Sequence, residues 1–254
     1  MEIGTAKPNV ELRNYIRHHL IDFLEPSETI NARAFSELAK NCVNEIYNKG
    51  KIPVLTCGTG FYLKAFLYGM FPVPVISSEI KEKVAKMGKK ERWELLMDRD
   101  KGATDKLSYN DDYRVCRALE INLSGALWSD LKEDKSEGYL NNNKLNIIGL
   151  CIDWDRKILY ERIDKRAKEM IGAGILEETK LVMSMYSENC PALNSLGYNF
   201  AVDKLRGLID YETFYEKFSR SHRNLAKKQI TWFKKEPLLK FVSWKESLDK
   251  IKSI

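Results

Sequence analysis

Four short apolar runs, at residues 18–22, 52–57, 145–152 and 239–242, are separated by longer stretches in which apolar side chains return with helical spacing. That order leaves few options. Short runs bounded by polar or turn residues read as strands, and strands that alternate with helices pack as an α/β layer around a largely parallel sheet. Residues 30–49 form the first clear helix, with Ala34, Phe35, Leu38, Ala39, Cys42, Val43 and Ile46 on one stripe and Gly50 stopping it. The stripe is expected to face the sheet. A second helix starts at Asp155 and runs through Leu159, Ile163, Ala167 and Met170 towards Gly172 and Gly174. Arg162 and Arg166 lie one turn apart on it, spaced either to clamp an anion or to pair with Glu161 or Asp164 on a solvated face.

Between residues 69 and 125 the character changes. Pro72 and Pro74 interrupt the chain, and polar, lysine-rich helical segments follow without a strand pattern. The expected organisation is an α/β core, residues 1–68 and 126–254, carrying a helical insertion at 69–125. The polar stretch 134–143 reads as an exposed loop leading back to the core.

Composition excludes several classes. With 254 residues, 44% hydrophobic and 31% charged, the chain can bury a core and is not disordered. Lys and Arg outnumber Asp and Glu by 42 to 36, an excess that permits an anionic partner without demanding one. Five scattered cysteines with no CxxC pair give neither a disulfide framework nor a thiolate metal site. No run reaches about 18 apolar residues, and no basic-then-apolar leader opens the chain, so a cytoplasmic protein without a membrane span is expected. His18 and His19 would point to opposite faces of a strand and only His222 remains, so no histidine metal site is expected.

Three segments hold residue types suited to anion chemistry. After the run at 52–57 come Gly58-Thr59-Gly60 and a helical pattern, an order in which backbone amides and a helix N-terminus face an anion and the Thr59 hydroxyl adds a hydrogen bond. A simple helix cap needs the same residues. Gly4-Thr5-Ala6-Lys7-Pro8 is turn-like and offers a hydroxyl and an amine. In the stretch 211–237, Arg220, Arg223, Lys227 and Lys234 fall near one helical face beside Lys228, Gln229, Trp232 and Phe233. Such a face can neutralise phosphates and stack on a base, or it can be the solvated side of an amphipathic helix. Arg114 and Arg117 form a second basic pair three residues apart.

Taken together and in this order, Gly4-Thr5-Ala6-Lys7-Pro8, His18-His19-Leu20, the segment from Pro53 through Gly58-Thr59-Gly60 to Tyr62, the segment from Arg114 to Glu120, Leu196-Gly197-Tyr198 and the segment from Ala226 to Phe233 resemble the tRNA dimethylallyltransferase (tRNA isopentenyltransferase) family. The likeness extends from residue 2 to about 245. It implies a P-loop NTPase-like α/β core with a parallel sheet lacking its first strands, plus a helical insertion that grips the anticodon arm of tRNA. The implied reaction moves a dimethylallyl group from dimethylallyl diphosphate to N6 of the adenosine beside the anticodon, with Mg2+, in a cytoplasmic monomer.

Carried over residue by residue, the resemblance puts Thr59 at the reacting centre and Thr5, Lys7, Gly58, Gly60, Arg166, Arg223 and Lys228 around the pyrophosphate. It puts Lys81, Tyr113, Arg114, Arg117, Asn194, Tyr198, Asn199, Lys227, Gln229, Trp232 and Lys234 against the tRNA. No metal ligand is identified. Cys57 replaces a usual glycine, Lys228 stands where arginine is common, and Asn199 replaces a charged residue. In the family a Walker-type loop and an aspartate general base precede the Gly4–Pro8 element, and neither occurs here. Two other readings follow: a non-catalytic remnant that binds the anticodon arm, and prenyl transfer to free adenine nucleotides, for which an RNA-gripping lobe would be idle.

Overall fold

The computed structural model describes residues 1–131, 138–142 and 147–253. The chain divides into two compact units, residues 1–66 with 145–254, and residues 67–144. The first unit opens with α1 (Val10–Tyr15), α2 (Ala32–Asn48) and the start of α3 (Gly60–Tyr68). The second contains α4 (Ser78–Lys86), α5 (Lys89–Arg99), α6 (Lys101–Thr104), α7 (Asp112–Leu123) and α8 (Tyr139–Asn142). The chain then returns to the first unit through β1 (Gly149–Ile152), α9 (Arg156–Gly172), α10 (Ile175–Tyr186), α11 (Tyr198–Leu205), α12 (Tyr211–Phe233), β2 (Leu239–Val242) and α13 (Trp244–Lys252).

The sheet is one parallel pair among the described residues, with Gly149 opposite Leu239 and Ile152 opposite Val242. Asp153 N–H extends the ladder to the Val242 carbonyl at 2.8 Å. Parallel strands need a long crossover, and α9 to α12 supply it. Three helix starts show a local cause. Asn31 caps α2 by accepting from Ala34 N–H at 2.9 Å, Asp155 caps α9 at Lys157 and Ile158, and Asp210 caps α12 at Thr213.

Two expected strands do not form. In residues 18–22, Leu20 and Asp22 have φ of +57° and +55°, left-handed conformations that break an extended run. Residues 52–57 are irregular and unpaired, and Ile52 and Val54 are 62% and 80% exposed, so apolar content alone did not make a ladder. The run expected at 145–152 begins outside the described residues, and its strand occupies Gly149–Ile152. The loop expected at 134–143 also lies partly outside them. Its described part folds into α8, where Tyr139 is buried and Gly138 meets the backbone of Leu67 and Tyr68 too closely for a Cβ.

The stripe on α2 is rotated from the expected one. Ala32, Ser36 and Ala39 are buried, whereas Ala34 and Leu38 are exposed. Its partner is α3 rather than the sheet, since Ser36 Oγ donates to the Ala65 carbonyl at 3.1 Å and the Phe35 and Tyr62 rings lie 4.9 Å apart. The main core of the first unit gathers Ala167, Met170, Ile175, Val182, Leu193, Tyr198, Phe214 and Phe218 from α9 to α12 and the turn before α11. Phe214 and Phe218 are one turn apart on α12 and fully buried, as the helical period requires.

In the second unit, Leu96, Ala103, Leu107, Val115 and Ala118 form a separate core. Buried Asp100 knits its helices: its carboxylate accepts from Ala103 N–H and Ser129 N–H at 3.0 Å each and from Asn122 Nδ2 at 3.3 Å. Burial alone would raise the Asp100 pKa, but these hydrogen bonds outweigh it and hold the carboxyl below its ordinary range. A depressed pKa contributes stability above the unfolded-state value that is lost as pH falls through the lower folded-state value. We therefore predict that Asp100→Asn costs about 1–3 kcal/mol at neutral pH. Urea titrations should show the difference from wild type shrinking as pH falls below 4.

Candidate functional site

The turn before α3 is built by residues far away in sequence. The Gly58 carbonyl accepts from Gln229 Nε2 of α12 at 2.8 Å. The Trp232 indole lies against Gly60 so closely that a Cβ there would overlap the ring. The Thr59 carbonyl is fixed by the Leu63 N–H at 3.2 Å, in the first turn of α3, and by the Cys57 thiol at 3.0 Å. The Thr59 side chain is exposed. Its hydroxyl therefore stands at the N-terminus of a nine-residue helix, a position that suits phosphate oxygens. Burial pushes the Cys57 thiol up, against the pull of the Thr59 and Leu63 backbone.

α12 therefore carries two functions. Gln229 and Trp232, expected as RNA contacts, are engaged in bracing the turn, with Trp232 also edge-on to Phe233 at 5.4 Å. Lys227, Lys228 and Lys234 are exposed on the same helix end. Arg220 pairs with Glu216 one turn back, and Arg223 reaches across to Asp164 of α9. Arg166 is exposed, whereas Arg162 turns to the Trp154 ring at 4.5 Å, so these two arginines do not converge as a clamp.

The Gly4–Pro8 turn is held from a different side. Tyr198 is 1% exposed, which corrects its expected place on an RNA-facing surface: it is a core residue whose ring lies on Gly4 with no room for a Cβ between them. Its hydroxyl donates to Glu178 Oε1 at 2.5 Å, and the Glu178 carboxylate also accepts the N–H groups of Glu2, Ile3 and Gly4. Burial raises the Glu178 pKa, but these donors together bring it below the ordinary value. Burial, with the Glu178 carboxylate, pushes the Tyr198 phenol well up. Gly197 has φ +89° and packs on Phe218, so the Leu196-Gly197-Tyr198 motif is first a packing device, with Asn194 and Asn199 exposed at its rim. Glu178 escaped the sequence reading because nothing local distinguishes it from neighbouring Glu177.

Thr5 Oγ1 donates to the Met1 carbonyl at 3.0 Å. Lys7 Nζ bridges Glu2 at 3.3 Å and Asp22, while Arg13 meets the same two carboxylates at 3.1 and 2.5 Å. A phosphate at Lys7 must therefore compete with two carboxylates.

In the second unit, Tyr113 is 80% exposed beside Arg114 and Arg117. Those arginines pair with Asp111 at 3.4 Å and Glu120 at 2.8 Å, and Lys81 is exposed on α4. The exposed Arg114–Asp111 pair is worth roughly 0–1 kcal/mol and exchanges readily for a phosphate partner, whereas Arg117–Glu120 is partly buried.

Among the described residues no three His, Cys, Asp or Glu side chains converge on a metal position, and no helix is long and apolar enough to cross a membrane. All five cysteines are free thiols.

Comparison with known proteins places these features. Residues 1–236 match the family model described as IPP transferase. The chain is 48% identical to a tRNA dimethylallyltransferase of Leptospira interrogans, over 100% of this chain and 86% of the relative. A solved tRNA isopentenylpyrophosphate transferase from Bacillus halodurans superposes with a TM-score of 0.69 at 26% identity, covering 100% of this chain and 82% of that one. A tRNA delta(2)-isopentenylpyrophosphate transferase from Staphylococcus epidermidis gives 0.68 at 28% identity, with 100% and 85% covered. The fold class is accordingly a P-loop NTPase-like α/β core.

The Gly60–Trp232 contact gives a direct check. Gly60→Ala should cost about 1–3 kcal/mol, because the added methyl displaces the indole. Thermal melts and tryptophan emission should register it, and Trp232→Ala in the same chain should relieve part of the Gly60→Ala penalty, a coupling that a double-mutant cycle measures.

Proposed function

We propose, from the premise that the chain belongs to the IPP transferase family, that the Gly58-Thr59-Gly60 turn is where its prenyl diphosphate reacts. The enzyme class is that of a prenyltransferase acting on tRNA. It transfers a dimethylallyl group from dimethylallyl diphosphate to N6 of the adenosine beside the anticodon. A C–N bond forms at the allylic carbon, the C–O bond to the diphosphate breaks, the leaving group keeps that electron pair, and the amine nitrogen loses a proton.

The observation that carries the reading is the turn itself. Its backbone is held by Gln229 and Trp232, which leaves the exposed Thr59 hydroxyl at the N-terminus of α3 to receive charge that develops on the leaving oxygen. Locking matters because donors already aimed need no reorganisation when the bond breaks. Thr5, Lys7, Arg166, Arg223 and Lys228 are assigned to the diphosphate, Arg223 and Lys7 after exchanging carboxylate partners for phosphate. Lys227 and Lys234 of α12, with Lys81, Tyr113, Arg114 and Arg117 of the helical unit, are assigned to the RNA backbone and to stacking on an unpaired base. Exposed Asn194 and Asn199 supply further polar contacts. The described residues offer Mg2+ no ligand set, so no step is assigned through it. We assign the reaction to the cytoplasm and the working species to a monomer.

The test combines purified protein, dimethylallyl diphosphate, Mg2+ and an anticodon stem-loop, read by mass spectrometry of the RNA. Gain of one dimethylallyl group on one adenosine is expected, and stem-loop binding without it overturns the catalytic reading. Thr59→Ala is expected to lower turnover by about a hundredfold while leaving stem-loop affinity unchanged. Replacing Lys227 and Lys234 together with alanine should lower the slope of log stem-loop affinity against log salt by about 1–2.

A further inference from the structure

Thr5 and Lys7 enter the proposed site from a turn that has little secondary structure to hold it. Only two short backbone bonds close it, from Ala6 N–H to Ile3 at 3.0 Å and from Lys7 N–H to Glu2 at 3.2 Å, and Ala6 sits at φ +50°. A loop closed this way frays unless something outside it accepts its free amides.

We propose that Glu178 is a positioning residue for the diphosphate site, holding the Gly4–Pro8 turn through its backbone, with the Tyr198 hydroxyl holding Glu178 in turn. This rests on the reading that Thr5 and Lys7 bind the diphosphate. Glu178 Oε2 takes the amides of Glu2 and Ile3, while Oε1 takes the Gly4 amide at 3.3 Å and the Tyr198 hydroxyl. Three consecutive amides and one phenol converge on a single carboxylate, half-buried on α10. The Tyr198 ring is fully buried against Gly4, with Ile175 beside the same glycine, so the carboxylate's own partner has no freedom to follow a loosened loop. The arrangement joins the Gly4–Pro8 and Leu196–Tyr198 motifs, far apart in sequence, through a glutamate in neither. It also uses no side chain of the turn, so Thr5 and Lys7 remain available to a ligand once Lys7 leaves its carboxylate partners.

The experiment compares Glu178→Ala, Glu178→Gln and Tyr198→Phe with wild type in the full chain. The readouts are amide hydrogen exchange of residues 2–5, binding of inorganic pyrophosphate by calorimetry, and anticodon stem-loop affinity. Glu178→Ala should speed exchange at residues 2–4 and weaken pyrophosphate by about tenfold or more, with stem-loop affinity unchanged. Glu178→Gln keeps accepting oxygen on one side only and should recover part of both effects. Tyr198→Phe keeps the ring on Gly4 and should show a smaller loss in the same direction. Faster exchange with unchanged pyrophosphate affinity overturns the positioning role, as does unchanged exchange in Glu178→Ala. Equal loss of stem-loop and pyrophosphate binding, or loss of cooperative unfolding in all three variants, assigns Glu178 to the fold alone and overturns it too. Wild-type protein that fails to bind pyrophosphate overturns the assignment of Thr5 and Lys7 to the diphosphate and with it the inference, and is distinguished by appearing before any substitution is made.

Discussion

The first unit depends on how one helix is anchored. Phe214 and Phe218 sink one end of the 23-residue α12 into the core, and burial of each ring contributes roughly 1.5–3 kcal/mol. With that end fixed, the rigidity of a continuous helix dictates where its other end stands. Gln229 and Trp232 arrive at the Gly58-Thr59-Gly60 turn because of residues three turns earlier. Arg223 ties the middle of the helix to α9 through Asp164.

The two loops assigned to the diphosphate are held by the same device. At Gly60 and at Gly4 an aromatic ring, Trp232 or Tyr198, lies on a glycine where a Cβ has no space. Glycine is needed at both positions for the missing side chain. Its other use, a left-handed backbone, appears at Gly197, where φ is +89°. An aromatic face on a bare Cα removes water from both partners and leaves the loop one position. The hydrogen bonds from Gln229 and to Glu178 then fix orientation.

The cationic side chains tell a complementary story. Lys7, Arg114, Arg117, Arg220 and Arg223 all face carboxylates in the free protein. Where the pair is exposed, as at Arg114 and Arg220, it contributes little net stability, so exchanging a carboxylate for a phosphate carries a small penalty. Lys227, Lys228 and Lys234 are exposed.

Sequence by itself determined the helices at 30–49 and from Asp155, strands within 145–152 and at 239–242, and the Gly-Thr-Gly turn ahead of α3, because these depend on period and on residues within a turn of one another. Tertiary structure decided what periodicity does not encode. Residues 18–22 and 52–57 have strand-like composition, but a strand exists only where a neighbour supplies hydrogen bonds. The α2 stripe turned because its partner is α3, and a stripe's phase is set by the surface it meets. Gln229 and Trp232 read as surface groups from a basic, aromatic context and Tyr198 from the family resemblance, yet Gln229 and Trp232 brace a distant turn and Tyr198 is buried in the core. Glu178 had no signal at all, since its role consists of amides that only the folded chain brings to it.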